Sequence, residues 1–156
     1  MGTMEAGNYE NYMLRALALA AEAAEAGEVP VGCVIVDGAG TIVGAGRNRR
    51  EETRCVTGHA EMEAIEAACR ARGDWRLSDC TLFVTLEPCP MCAGAMISAR
   101  LGTLVYGARE PGTGSAASVL NLFEERFSTG GHTAIYGGVC AAESRKLLKD
   151  FFDSRR

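Results

Sequence analysis

Two short stretches constrain this chain more than anything else in it: His59-Ala60-Glu61 and Pro88-Cys89-Pro90-Met91-Cys92. Together they offer one imidazole, two thiols and one spare carboxylate. Three nitrogen and sulfur ligands with an open fourth position form the donor set of a catalytic zinc ion, whereas a structural zinc is closed by a fourth protein ligand. A regular helix turns Glu61 away from His59, so the two are read with separate roles. His59 is a ligand, and Glu61 moves protons beside a metal-bound water. Each stretch falls at a loop-to-helix junction, and Pro90 suits a first helical turn, where its missing N–H costs little. Free N–H groups and the positive end of the helix dipole favour the thiolates of Cys89 and Cys92. Those two residues, at i and i+3, share one helix face and can reach one ion, with His59 approaching from the side. A chain that uses these groups has to fold so that two helix starts meet.

Each stretch alone has a plainer meaning. A lone C-x-x-C is also a redox pair or half of a zinc ribbon, and a lone His-Ala-Glu is also ordinary helix surface. No second C-x-x-C exists, and the two stretches occur together, each opening a helix, which favours the metal reading. His132, the other histidine, lies in a glycine-containing loop and is read as solvated. Seven cysteines could indicate a disulfide scaffold, but the odd count and the lack of a basic-then-apolar N-terminal segment indicate a reduced, cytoplasmic protein. Cys33, Cys69, Cys80 and Cys140 are expected as small buried hydrophobes. No apolar run approaches the roughly 20 residues of a membrane span. At 156 residues the expectation is a single domain over 1–156. Net charge is −4, but it is split: the chain is acidic up to Gly44, where Arg15 alone opposes six acids, and nearly balanced beyond. That split permits a local basic face.

Along the chain, three- and four-residue spacing predicts a helix over Asn8–Gly27. Val31–Val36 and Thr41–Ala45 read as strands joined by the turn at Asp37-Gly38-Ala39-Gly40, making a hairpin. Arg47–Glu52 reads as a polar loop. A helix follows over His59–Ala71, with Met62, Ile65, Ala68 and Cys69 as its apolar stripe, ended by Gly73-Asp74. Cys80–Thr85 is a strand, Pro90–Arg100 a helix and Gly102–Tyr106 a strand. Arg109–Gly114 is a loop, Val119–Phe127 holds a short helix and Thr133–Tyr136 a fifth strand. Ala141–Ser154 closes the chain as a helix. Alternating strands and helices indicate an α/β fold of three layers, α/β/α. Its five-stranded mixed sheet begins with a hairpin and continues with parallel strands.

The order His-x-Glu, then Pro-Cys-x-x-Cys, resembles the signature of zinc nucleobase deaminases. The resemblance is closer still to the bacterial tRNA-specific adenosine deaminases. It rests on Pro30-Val31-Gly32, Gly46-Arg47-Asn48-Arg49, His59-Ala60-Glu61, the run from Thr85 through Leu86-Glu87-Pro88-Cys89 to Met96, and Phe151-Phe152. This likeness, from about Tyr12 to Arg156, implies a cytidine-deaminase-like fold, a homodimer and a site near the dimer interface. It implies hydrolysis of the wobble adenosine of a tRNA anticodon loop to inosine, typically in an arginine tRNA. Carried over residue by residue, His59, Cys89 and Cys92 would hold zinc (Zn2+) and Glu61 would shuttle protons. Asn48 would contact the flipped nucleotide, Val31 and Ala60 would line the base pocket, and Phe152 would pack near the anticodon loop. The plain alternatives are a turn residue for Asn48 and a core anchor for Phe152.

Three stretches differ from the family pattern, all in loops expected to face RNA: Cys55-Val56-Thr57-Gly58, Glu110-Pro111-Gly112 and Ser128-Thr129. They leave open deamination of a free base or nucleoside, such as guanine, adenine or cytidine, with the same metal site. A third reading is a non-catalytic subunit of an RNA-editing complex, against which the intact Glu61 argues. If RNA is the substrate, the Arg47–Arg50 loop, Arg109 and Arg155-Arg156 are the expected phosphate-facing groups.

Overall fold

A computed structural model describes residues 6–125, 127 and 132–155. Its elements in order are α1 (Ala6–Glu25), β1 (Gly32–Val36), β2 (Ile42–Arg47), α2 (Arg50–Thr53), α3 (Ala60–Arg72), β3 (Thr81–Leu86), α4 (Pro90–Ser98), β4 (Thr103–Ala108), β5 (Ala134–Tyr136) and α5 (Ala141–Asp153). The strands form one sheet in the order β2-β1-β3-β4-β5. The β1–β2 and β1–β3 pairs are antiparallel, while β3–β4 and β4–β5 are parallel. The mixed five-stranded sheet expected from the sequence is therefore present, and its parallel half begins where helices replace the hairpin turn.

The sheet is buried on both faces, which is why β1 reads as an unbroken apolar run rather than an alternation. Val34 and Val36 join Met13, Ala16, Leu17, Phe83 and Val105 in the core under α1, with Leu147 of α5 packed against it. Cys33 and Ile35 point the other way and join Ala64, Ile65, Leu82, Val84, Met96 and Leu104 under α3 and α4. One face therefore carries α1 and α5, and the other carries α3 and α4.

The seat of α3 fixes the geometry of the site. Its buried stripe is Ala60, Glu61, Ala64, Ile65 and Ala68; Met62 and Cys69, expected there, are only half buried. The helix lies so close to β2 that a Cβ at Gly46 would stand 2.6 Å from the Ala60 carbonyl oxygen and 2.7 Å from the Glu63 Cβ. Alanines, which weigh little in a hydrophobicity pattern, are what such an approach requires.

Other details differ from the sequence expectation. The Arg47–Glu52 stretch is not loop alone: Arg47 ends β2, and Arg50–Glu52 belong to the one-turn helix α2, which runs on to Thr53. Among the described residues of Val119–Phe127, Leu122–Glu124 is helical, as a single 3-10 turn. Cys33 and Cys80 are buried as expected, but Cys69 and Cys140 are only half buried. Cys140 sits at the start of α5 in a left-handed backbone conformation instead of in the core. Ser128-Thr129 and Arg156 lie outside the described residues. No described helix is long and apolar enough to cross a membrane.

Candidate active site

The loops after β2 and β3 deliver His59 and Cys89 as the N-cap residues of α3 and α4, and Cys92 follows one turn into α4. Neither N-cap side chain makes a capping hydrogen bond, although an N-cap position ordinarily uses its side chain that way. Both turn toward each other instead. His59 Nδ1 stands 3.7 Å from Cys89 Sγ and 3.6 Å from Cys92 Sγ. All three ligand atoms lie within 4.8 Å of one another, and among the described residues this is the one such cluster. A tetrahedral zinc with bonds of about 2.3 Å to sulfur and about 2.0 Å to nitrogen would space N and S about 3.6 Å apart. The observed separations fit that ion, and the donor set leaves one position open. Glu61 is not part of that cluster.

The protonation states follow from these contacts. A hydrogen bond from Cys92, then one from His59, holds the Cys89 thiol down at about 4, against the effect of its burial. The same hydrogen bond, reinforced by burial, pushes Cys92 upward, so one proton stays with the pair. The contact with Cys89 raises His59. Glu61 is 4% exposed, and burial lifts its carboxyl to about 7. A carboxylate placed there exchanges protons near neutral pH, as a general acid–base requires.

His59, Cys89 and Glu61 line a cavity of about 170 Å³, with Cys92 buried beneath it. Val31, Asn48 and Ala60, three of the four expected substrate-contact residues, line it. Asn48 is buried and already engaged: its Nδ2 donates to the Val29 carbonyl at 3.2 Å and its Oδ1 accepts from the Arg50 amide at 3.1 Å. Phe152 does not line the cavity. It is 51% exposed on α5, edge-on to Phe151, which excludes the core-anchor alternative. Arg155 stacks on the Phe151 ring, its guanidinium carbon 4.1 Å from the centroid.

Arg50 and Glu110 stand at the cavity, but the neighbouring arginines are not equally available. Arg47 pairs with Glu52 at 3.0 Å, and Arg49 pairs with both Glu52 and Glu63. Arg50 and Arg109 are exposed and have no acidic partner among the described residues. Two residues escaped sequence reasoning, the buried acids Glu28 and Glu87. Their only sequence signal is position: each carboxylate adjoins a stretch that is otherwise apolar or proline-bounded.

Residues 6–108 match the cytidine and deoxycytidylate deaminase zinc-binding region. The chain belongs to that deaminase family. Within it, the deaminase is 44% identical over 149 residues to a tRNA-specific adenosine deaminase of Bacillus subtilis (strain 168), covering 94% of this chain and 90% of that protein. It is also 47% identical over 144 residues to a protein of Deinococcus radiodurans named tRNA(Ile)-lysidine synthase, covering 92% of this chain. There it spans only 24% of the longer protein. A solved structure from work on A-to-I editing by tRNA:A34 deaminases at the wobble position of transfer RNA superimposes with a TM-score of 0.83 at 39% identity. That superposition covers 88% of this deaminase and 99% of the solved chain. The fold is thus the cytidine-deaminase-like one, and the deaminase is a zinc-dependent hydrolytic enzyme of the tRNA-specific adenosine deaminase group.

Proposed function

We propose that this enzyme converts the wobble adenosine of a tRNA anticodon loop to inosine. The observation that carries the reading is the His59/Cys89/Cys92 triad with Glu61 on the floor of a cavity, in a chain that matches a tRNA-specific adenosine deaminase over 94% of its length. In the same proposal the ion is zinc, the chain acts as one domain over 1–156 and as a homodimer in the cytoplasm, and the preferred substrate is an arginine tRNA.

Zinc held by His59, Cys89 and Cys92 would activate water near neutral pH. The residues around it do the rest. As water adds to C6, the Glu61 carboxylate takes its first proton and gives it to ring N1; it then takes the second proton, from the hydroxyl now on C6, and gives it to the amine that leaves as the C6–N bond breaks. Adenosine and water thus become inosine and ammonia. Ala60 and Val31 flank the base, and Asn48 presents the second N–H of its amide to the nucleotide. Phe152, at the exposed end of α5, meets the anticodon loop. An anticodon loop offers unpaired bases, so extrusion costs only a few kcal/mol.

The test is ammonia release from whole tRNA and from free adenosine, adenine, guanine and cytidine. Turnover of tRNA with inosine appearing at the wobble position is the expected result. Brisk turnover of a free base with none on tRNA would overturn the reading.

A further inference from the structure

Two carboxylates that take no part in the chemistry grip the two walls of the cavity, Glu28 from behind and Glu87 from within the lining itself. Glu28 is 2% exposed. It follows the cap of α1, where Gly27 takes a left-handed conformation and the Glu28 amide bonds back to the Ala23 carbonyl. That cap sends the Glu28 side chain to the start of α2. Its oxygens accept the Glu51 amide at 3.1 Å and the Glu52 amide at 2.7 Å. The Asn48 side chain accepts the third free amide, that of Arg50. A four-residue helix is far below the length that is stable alone, and its N-cap, Arg49, has no acceptor to cap it. Glu28 therefore holds in place the wall that carries Asn48 and Arg50.

Glu87, also 2% exposed, does the same opposite. It accepts the amides of Glu110 (3.1 Å), Ala116 (3.1 Å), Ala117 (2.8 Å) and Ser118 (2.9 Å), and the Ser118 hydroxyl as well. The segment it gathers runs from the end of β4 without strand or α-helix and carries Glu110 and Thr113 into the cavity. Five donors exceed the roughly four lone-pair sites of a carboxylate, so Glu87 is saturated and has no capacity to move protons.

We propose that Glu28 and Glu87 are positioning residues that set the distance between the two cavity walls, and with it the enzyme's selection of adenosine at the end of an RNA loop. The inference rests on the wobble-adenosine reading. Charge-assisted hydrogen bonds are the strong ones, and here they hold segments with little internal structure of their own. An amide in place of either carboxylate brings an N–H2 against backbone N–H groups and frees the wall. His59, Glu61, Cys89 and Cys92 sit at the starts of α3 and α4, which neither substitution touches, and stay put.

The experiment uses full-length protein carrying Glu61→Gln, so that RNA is bound and not consumed. Affinity is measured for two anticodon stem-loops, one with adenosine and one with an abasic site at the wobble position. Their ratio reads the cavity alone, because all other RNA contacts cancel. The parent is expected to prefer adenosine about tenfold or more. Adding Glu28→Gln or Glu87→Gln should cut that preference about three- to tenfold while zinc content stays unchanged. General destabilisation would weaken both RNAs alike. Should Glu87→Gln not fold, Glu87→Asp, which keeps the charge but draws the carboxylate back from its amides, decides; Glu28→Asp does so for the other wall. An undiminished preference in the folded variants overturns the inference. A parent with no preference for adenosine overturns the wobble reading and this inference with it.

Discussion

At the scale of single residues, the proposed reading divides labour between three groups that would hold a metal, His59, Cys89 and Cys92, and one that would move protons, Glu61. Replacing Cys89 by Ala removes one of three ligands, so metal analysis of purified Cys89→Ala protein should show loss of the about one zinc per chain expected for the parent. Glu61→Gln keeps the shape and the zinc but cannot accept a proton. Its turnover should fall about 10²–10⁴-fold with the melting temperature little changed. Cys89 and Cys92 also differ from each other in the metal-free protein. Cys89 is held at about 4, so its thiolate contribution to stability is complete above its ordinary value, declines progressively as pH falls below that value, and is gone once pH has fallen through about 4. At pH 6 Cys89 should therefore be alkylated rapidly, while Cys92, raised by the same hydrogen bond, stays unmodified. Peptide mapping with and without zinc checks this, zinc being expected to protect both. These residues were legible in the sequence because ligand chemistry restricts a metal site to few side chains at helical spacing. Glu28 and Glu87 were not, since a carboxylate that serves backbone amides far along the chain has no local pattern.

At the scale of elements, helix starts and stops were readable where capping chemistry sets them. Pro90 opens α4, and Gly73, in a left-handed conformation, closes α3. The short α2 was not readable, because its caps come from Glu28, twenty-odd residues upstream, and from Asn48. The α3 stripe was misplaced toward Met62 and Cys69 because contact with β2 selects small residues rather than apolar ones. That contact is open to test. Gly46→Ala puts a methyl 2.6 Å from the Ala60 carbonyl oxygen, which is backbone and cannot swing aside. Overpacking of this kind costs about 1–3 kcal/mol. The displaced helix start carries His59, so a lower melting temperature should come with faster zinc loss to a chelator. Loss of stability with unchanged zinc release would show that His59 is placed independently of the β2 contact.

At the scale of the whole molecule, the charge split visible in the sequence becomes a question of which arginines remain free. Arg47 and Arg49 are taken up by Glu52 and Glu63, whereas Arg50 at the cavity and Arg109 beyond β4 are open. Affinity for tRNA should fall with salt, with a log–log slope of about −0.7 per phosphate contact on single strands. Arg50→Ala and Arg109→Ala should each flatten that slope by about one contact's worth, and Arg49→Ala should leave it unchanged. A salt-insensitive interaction would remove phosphate recognition from the account. What the sequence determined by itself was the α/β class, the order along the chain of the strands and longer helices, and the three residues, His59, Cys89 and Cys92, that the fold gathers into one cluster. All of these are written in local spacing or in a fixed set of donor atoms. What only the tertiary structure decided was the strand order, the close seat of α3 on β2, the consumption of two arginines by acids, and the grip of two buried carboxylates on the cavity walls. Each of these depends on groups distant in sequence meeting in space, where burial and unsatisfied backbone donors, rather than periodicity, choose the partner.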